Sequence, residues 1–218
     1  MVSWPLMLKP IRWKTFLRDM LVIQIGFALF GISIAMMIRA NLGVSAWSVL
    51  DVALSQITLR TPGTMTVLVG FTVLAVSMLL REQVGWGTLA NILSIGPWED
   101  LFLYLIPSVK NNLTLQIAML IGAILIQGIA SAVYIGVEAG AGPRDSLMLA
   151  IKRTTGLAVG WARAAIELSV VVVGWLLGGP AGIGTVAFAV LIGPAVQNAF
   201  KIFNVHPHEP IAAEEGTD

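Results

Sequence analysis

A chain of 218 residues with a net charge of +1 and only 11% charged residues is not built for water, where soluble domains carry about 25%. Its 57% hydrophobic content and mean hydropathy of +0.87 point to an integral membrane protein, with the lipid bilayer as its first partner. The lack of cysteine excludes disulfides, thiolate catalysis and thiolate metal sites. The near-neutral charge without a basic run speaks against nucleic acid, and no motif asks for a cofactor.

Residues 1–18 carry Lys9, Arg12, Lys14 and Arg18 and read as a cytoplasmic, interfacial lead-in, with Trp4 and Trp13 at headgroup depth. No cleavage site marks a signal peptide. Residues 19–38 predict a first span. Residues 45–56 predict a short helix of about 18 Å, too short to cross. Residues 64–80 predict a second span, and 88–106 a third, broken at Gly96-Pro97. The order then recurs: a span at 114–136, a short helix at 143–154, a span at 161–178, and a span at 185–203 broken at Gly193-Pro194. A polar tail at 204–218 holds the only histidines, His206 and His208.

This recurrence holds residue by residue. Residues 31–106 align with 128–203 at a constant offset of 97, and 20 of the 76 pairs are identical. Gly85-Trp86-Gly87-Thr88 falls on Gly182-Ile183-Gly184-Thr185, and Ile95-Gly96-Pro97 on Ile192-Gly193-Pro194. The pattern predicts an all-α transmembrane domain over 1–203, made of two internal repeats at about 19–106 and 114–203. Each repeat has three crossings, a short half-helix and a Gly-Pro-broken helix. An odd number of crossings inverts one repeat relative to the other; if the short helices also crossed, the halves would be parallel. With both termini inside, ten basic residues fall on the cytoplasmic side and three (Arg39, Arg60 and Lys110) outside, as the positive-inside rule requires.

The short helices carry the candidate binding chemistry. Gly43-Val44-Ser45-Ala46-Trp47-Ser48 faces Gly140-Ala141-Gly142-Pro143-Arg144-Asp145 in the alignment, and each segment turns through glycine into a helix. Ser45 is a fitting N-cap and Pro143 a fitting first residue. A half-helix at membrane depth aims unpaired N–H groups and a partial positive charge at one place, where an anion or polar head can sit. Filling space is the plainer role. Thr88 and Thr185 read as N-caps of the broken helices. The expected substrate-binding set is Ser45, Trp47, Ser48, Thr88, Arg144, Asp145, Ser146 and Thr185. Arg163 and Glu167 are spaced to pair on one helix face, as a structural ion pair or a coupling site, with Asp51 as a further coupling candidate. Glu99 and Asp100 follow the first Gly-Pro pair and are expected near the outer interface. Their alignment partners Val196 and Gln197 are uncharged. Gln24, Gln127, Gly26, Gly31, Gly122 and Gly128 suit helix packing, and Trp86, Trp98, Trp161 and Trp175 an interfacial belt.

These features favour a small secondary transporter or permease, moving an unidentified small polar or anionic solute between two repeats. The alternative is a non-transporting membrane partner or scaffold that supports a biosynthetic or export system. A channel lacks a recognisable filter, an enzyme lacks a ligand or nucleophile cluster, and no Walker A lysine serves ATP. A homo-oligomer is compatible with the chain.

The stretches Asn41–Leu50, Gly85–Thr88 with Ile95-Gly96-Pro97, Gly140–Leu147 and Gly182–Thr185 through Pro194 resemble the bacterial YczE/YyaS/YitT family of integral membrane proteins. The likeness runs from about residue 20 to 203. It implies a multi-pass inner-membrane protein for which transport is the suspected role, and it supplies no substrate, cofactor or catalytic residue. The chain departs from the family's pattern at Ala46 and Ser48, where members usually carry Pro and Asp. Pro143 and Asp145 keep both residues in the second half.

Overall fold

The computed structural model describes residues 13–82, 85–137, 139–140 and 142–205. Expectations for Trp4, Lys9, Arg12, Ala141, His206 and His208 fall outside them. Among the described residues there are eight helices and no strand: α1 (Phe16–Ala40), α2 (Ala46–Thr58), α3 (Pro62–Leu79), α4 (Trp86–Leu105), α5 (Leu113–Ile135), α6 (Pro143–Thr155), α7 (Val159–Leu176) and α8 (Ile183–Ile202). Helices α1, α3, α5 and α8 are long and apolar enough to cross a bilayer. Helices α2 and α6 have 13 residues each, about 20 Å, and are too short to do so. The ends of α2, α3 and α4 each have a counterpart 97 residues later, in α6, α7 and α8.

Local chemistry sets many of these ends. Thr61 caps α3, its side chain accepting from the Thr64 N–H at 3.2 Å, and Pro62 follows where its missing donor is harmless. Asn112 caps α5 by accepting from the Leu115 N–H at 3.1 Å. Pro143 opens α6, whose last turn carries Lys152 and Arg153 against the negative end of the helix dipole.

Helices α1 and α5 form the centre, with α4 packed on α1 and α8 on α5. Ile23, Phe27, Ile34, Ile95 and Tyr134 join α1, α4 and α5. Met37, Val49, Leu120, Ile124, Phe188 and Ile192 join α1, α2, α5 and α8. Helix α2 packs on α3 and α7, and α6 on α3 and α7. The outer faces present Leu21, Ile25, Leu93, Leu125, Leu168, Val186 and Val190, an apolar surface suited to lipid. Polar bonds tie the central helices together. Gln24 donates to Ser94 Oγ at 2.8 Å and accepts from the Trp98 indole at 3.3 Å, so Trp98 joins α4 to α1. The Ser33 hydroxyl lies 2.8 Å from the Ala123 carbonyl and 2.9 Å from Gln127 Oε1.

Two expectations are corrected. Helices α4 and α8 run unbroken through Pro97 and Pro194. Proline's fixed φ is helical, and it removes one donor, which a helix among other helices tolerates. Gly96 is a packing notch: α3 and α4 come so close that a side chain on Gly63 would strike the Gly96 carbonyl, and one on Gly96 the Gly63 carbonyl. At the aligned positions, Gly160 and Gly193, a Cβ would meet nothing within 4 Å. Secondly, α4 and α8 begin a turn earlier than expected, with Gly85 and Gly182 at the N-caps. Thr185 stands in the first turn of α8, its hydroxyl accepting from the Gly182 N–H at 3.2 Å.

Candidate functional site

The chain enters α2 and α6 through two loops held from outside. The Gly87 N–H at the start of α4 donates to the Ala139 carbonyl at 3.0 Å, and the Gly184 N–H at the start of α8 donates to the Leu42 carbonyl at 2.7 Å. Each loop then turns at a glycine with positive φ: Gly43 at +117° and Gly140 at +129°, values L side chains rarely adopt. Tyr134 of α5 fixes the second loop, its hydroxyl donating to the Gly140 carbonyl at 2.7 Å.

Both turns deliver their helices to one cavity of about 220 Å³. Ser45, Ala46 and Trp47 line it from the start of α2, and Gly142, Pro143, Arg144 and Asp145 from the start of α6. Neither N-cap residue bonds the helix with its side chain. Two positive helix ends therefore face the same space. Phe30 and Ile34 of α1, Gln127 and Ser131 of α5, Asn91 and Ile95 of α4, and Phe188 and Ile192 of α8 complete much of the wall.

The charges are paired within this wall. Arg144 donates to Asp51 Oδ2 at 3.1 Å, and its guanidinium carbon lies 5.0 Å from the centre of the Trp47 ring. Asp51 is buried, and Arg144 is about one-third exposed, facing the cavity. Asp145 accepts from the Gly142 N–H and stands in the field of Arg163 and Arg144. Arg163 donates through Nε to Glu167 at 2.8 Å, and both line the cavity. The site can therefore hold a polar or anionic group between Arg144, Arg163 and two helix N-termini, with Trp47 as an apolar wall.

Of the expected binding residues, Ser45, Trp47, Arg144 and Asp145 line the cavity, as do Arg163 and Glu167. Ser48, Ser146, Thr88 and Thr185 are buried off its wall. The Ser48 hydroxyl pairs with that of Ser45 at 2.8 Å. Asp51 stands behind Arg144, and Gly96, Pro97, Gly193 and Pro194 lie in α4 and α8 without lining the cavity. Sequence reasoning missed Thr66 and Asn91, and it misplaced Glu99. That carboxyl is fully buried at 0% exposure, within 2.8 Å of the Thr66 hydroxyl, and is not interfacial. The signal available was its position inside an apolar run. Asp100, on the next residue, accepts from the Thr61 hydroxyl at 2.5 Å and the Gly63 N–H at 2.9 Å.

Apolar outer faces, four membrane-length helices and a cavity lined by charged as well as apolar side chains define an all-helical membrane protein. The chain belongs to the family of unknown function DUF6198, whose model matches residues 17–201. It is 32% identical over 184 residues to the uncharacterized membrane protein YczE of Bacillus subtilis, covering 84% of this chain and 82% of the relative. An uncharacterized protein of Haemophilus influenzae is 32% identical over 198 residues, covering 91% and 90%. The uncharacterized protein YyaS of Bacillus subtilis is 27% identical over 190 residues, covering 84% and 92%. No solved structure matches the chain.

Proposed function

We propose that the protein is a small secondary transporter that moves a small anionic solute by alternating access between two inverted repeats. One observation carries this reading: the cavity wall is built from aligned positions of the two halves. Ile34 and Ser131, Ser45 and Gly142, Trp47 and Arg144, Thr66 and Arg163, and Gly70 and Glu167 all line it, each pair 97 residues apart. A site shared by two inverted halves is reached from either side when one half rocks against the other. The reciprocal bonds from Gly87 to Ala139 and from Gly184 to Leu42 support the same two-fold relation.

In this reading each half crosses three times and both termini are cytoplasmic, in the bacterial inner membrane. Ten basic residues against three support that orientation. Arg144 and the α2 and α6 N-termini bind the anion, Arg163 adds positive field, and Trp47 covers an apolar edge of the solute.

The test is uptake of a panel of small labelled anions into liposomes containing the purified chain. The expected result is saturable uptake of one or more anions. Arg144→Ala should reduce it at least about tenfold, the equivalent of one lost hydrogen bond to a charged group. Unchanged flux in Arg144→Ala removes this site assignment. No flux, together with a stable complex recovered from native membrane, favours the non-transporting partner.

A further inference from the structure

Thr66 of α3 stands between two acids. Its hydroxyl oxygen is 3.1 Å from Asp51 Oδ2 on α2 and 2.8 Å from Glu99 Oε2 on α4. Asp51 is 1% exposed and Glu99 0%, and both lie among apolar helices. A threonine hydroxyl has a single hydrogen. It can donate to one of these oxygens only. The other contact is a hydrogen bond only when that acid carries a proton and donates it to Thr66.

Arg144 decides which acid is which. Its guanidinium donates to Asp51 Oδ2 at 3.1 Å, so Asp51 has a cation and is the carboxylate. Among the described residues no cation is in contact with Glu99. The charges acting on it are Asp51 from α2, Arg144 from α6 and Asp100 on its own helix. Helix α3 brings the uncharged Thr66. Helix α1 brings the backbone at Gly31 and, near its end, Arg39, whose guanidinium donates to the Leu103 carbonyl. A second observation is independent of the shared hydroxyl. The remaining oxygens, Asp51 Oδ1 and Glu99 Oε1, are buried and have no hydrogen-bond partner among the described residues. Two ionised acids there would leave one net negative charge and two bare anionic oxygens away from water, an arrangement proteins avoid. With one proton on Glu99 the group Glu99, Asp51 and Arg144 is neutral.

We propose that Glu99 is a proton-binding site, linked through Thr66 and Asp51 to Arg144 and so to the cavity. The proton on Glu99 Oε2 donates to Thr66, whose hydrogen donates to Asp51, which also accepts from Arg144. The coupling role of this site rests on the transport reading. An anion that draws Arg144 into the cavity leaves Asp51 without its cation; the proton of Glu99 then passes through Thr66 to Asp51, and Glu99 takes up a proton from water in its place. One anion then moves with one proton, and charge balances throughout.

Infrared difference spectroscopy of the purified full chain at neutral pH, in light and heavy water, tests the site without any solute. The expected result is a protonated-carboxyl C=O band that shifts on deuteration, disappears in Glu99→Gln and survives in Asp145→Asn. Absence of the band in the wild-type chain, or its survival in Glu99→Gln, overturns the proposal. Thr66→Val, which keeps shape and removes the hydroxyl, should shift the band's frequency; an unshifted band also overturns it. So does loss of the band on adding sodium chloride at fixed pH, with choline chloride inert, which would assign the acids to a sodium ion. The band and the flux fail separately. A chain with the band and no anion uptake keeps the proton site and loses the transporter, whereas uptake without the band loses only the site.

Discussion

Arg144 on α6 meets Asp51 on α2 at 3.1 Å, and this bond joins the two short helices across the cavity. Neither helix is long enough to span a bilayer by itself, and α2 and α6 each rest on α3 and α7. The pair therefore fixes the position of one helix start against the other.

Removing the cation alone strands a buried carboxylate. Arg144→Ala is expected to destabilise the protein by about 3 kcal/mol, the lower end for breaking a buried ion pair because Arg144 is partly exposed. The double variant Arg144→Ala/Asp51→Asn should regain much of that loss. Thermal unfolding in detergent measures both, and a double variant no more stable than the single one would contradict the argument.

The two glycine pairs at the α3–α4 and α7–α8 positions should respond in opposite ways. Gly96→Ala drives a methyl into the Gly63 carbonyl and the Val67 side chain and should cost about 1–3 kcal/mol. Gly193→Ala meets no neighbour within 4 Å and should stabilise α8 by about 0.5–1 kcal/mol. Parallel melting curves decide it; equal losses in both variants would mean that α8 is covered at Gly193.

Gly43 and Gly140 are conformational requirements. Gly43→Ala places a Cβ 2.8 Å from Thr185 Oγ1 at a φ of +117°. It should lower stability by about 1–3 kcal/mol and reduce folded yield in the membrane. Normal yield and melting temperature would show that the loop can turn in another way.

The cysteine-free chain suits a topology test. Single cysteines at Arg60 and Lys110 should react with an impermeant maleimide on intact cells. Cysteines at Arg81 and Lys201 should react only after the membrane is opened. Labelling of Lys201→Cys from outside would rule out six crossings with both termini inside.

Most of the helical frame was legible in the sequence because apolar runs in a membrane protein are long and their stops are chemical. The expected short helices at 45–56 and 143–154 stand as Ala46–Thr58 and Pro143–Thr155. The i, i+4 spacing of Arg163 and Glu167 was enough to foresee their bond. The acid on α4 was not legible. A break at Gly96-Pro97 would have brought the chain to the surface at Glu99. The unbroken helix carries Glu99 inward, to a threonine 33 residues away in sequence. Nothing in the spacing of Thr66 marks that meeting. The same holds for Asp51, whose partner lies 93 residues on.

The paired bonds at Gly87 and Gly184 bear on how the molecule is made. The start of α4 needs a carbonyl at Ala139, in the loop beyond α5, and the loop at Leu42 needs an N–H from Gly184 at the start of α8. Synthesis delivers these partners in sequence order, so α4 leaves the ribosome with its first turn unanchored, and the Leu42 loop stays unclasped until nearly the whole chain has been translated. Neither half is complete as a module by itself. A chain cut after α4 would lose both clasps at once.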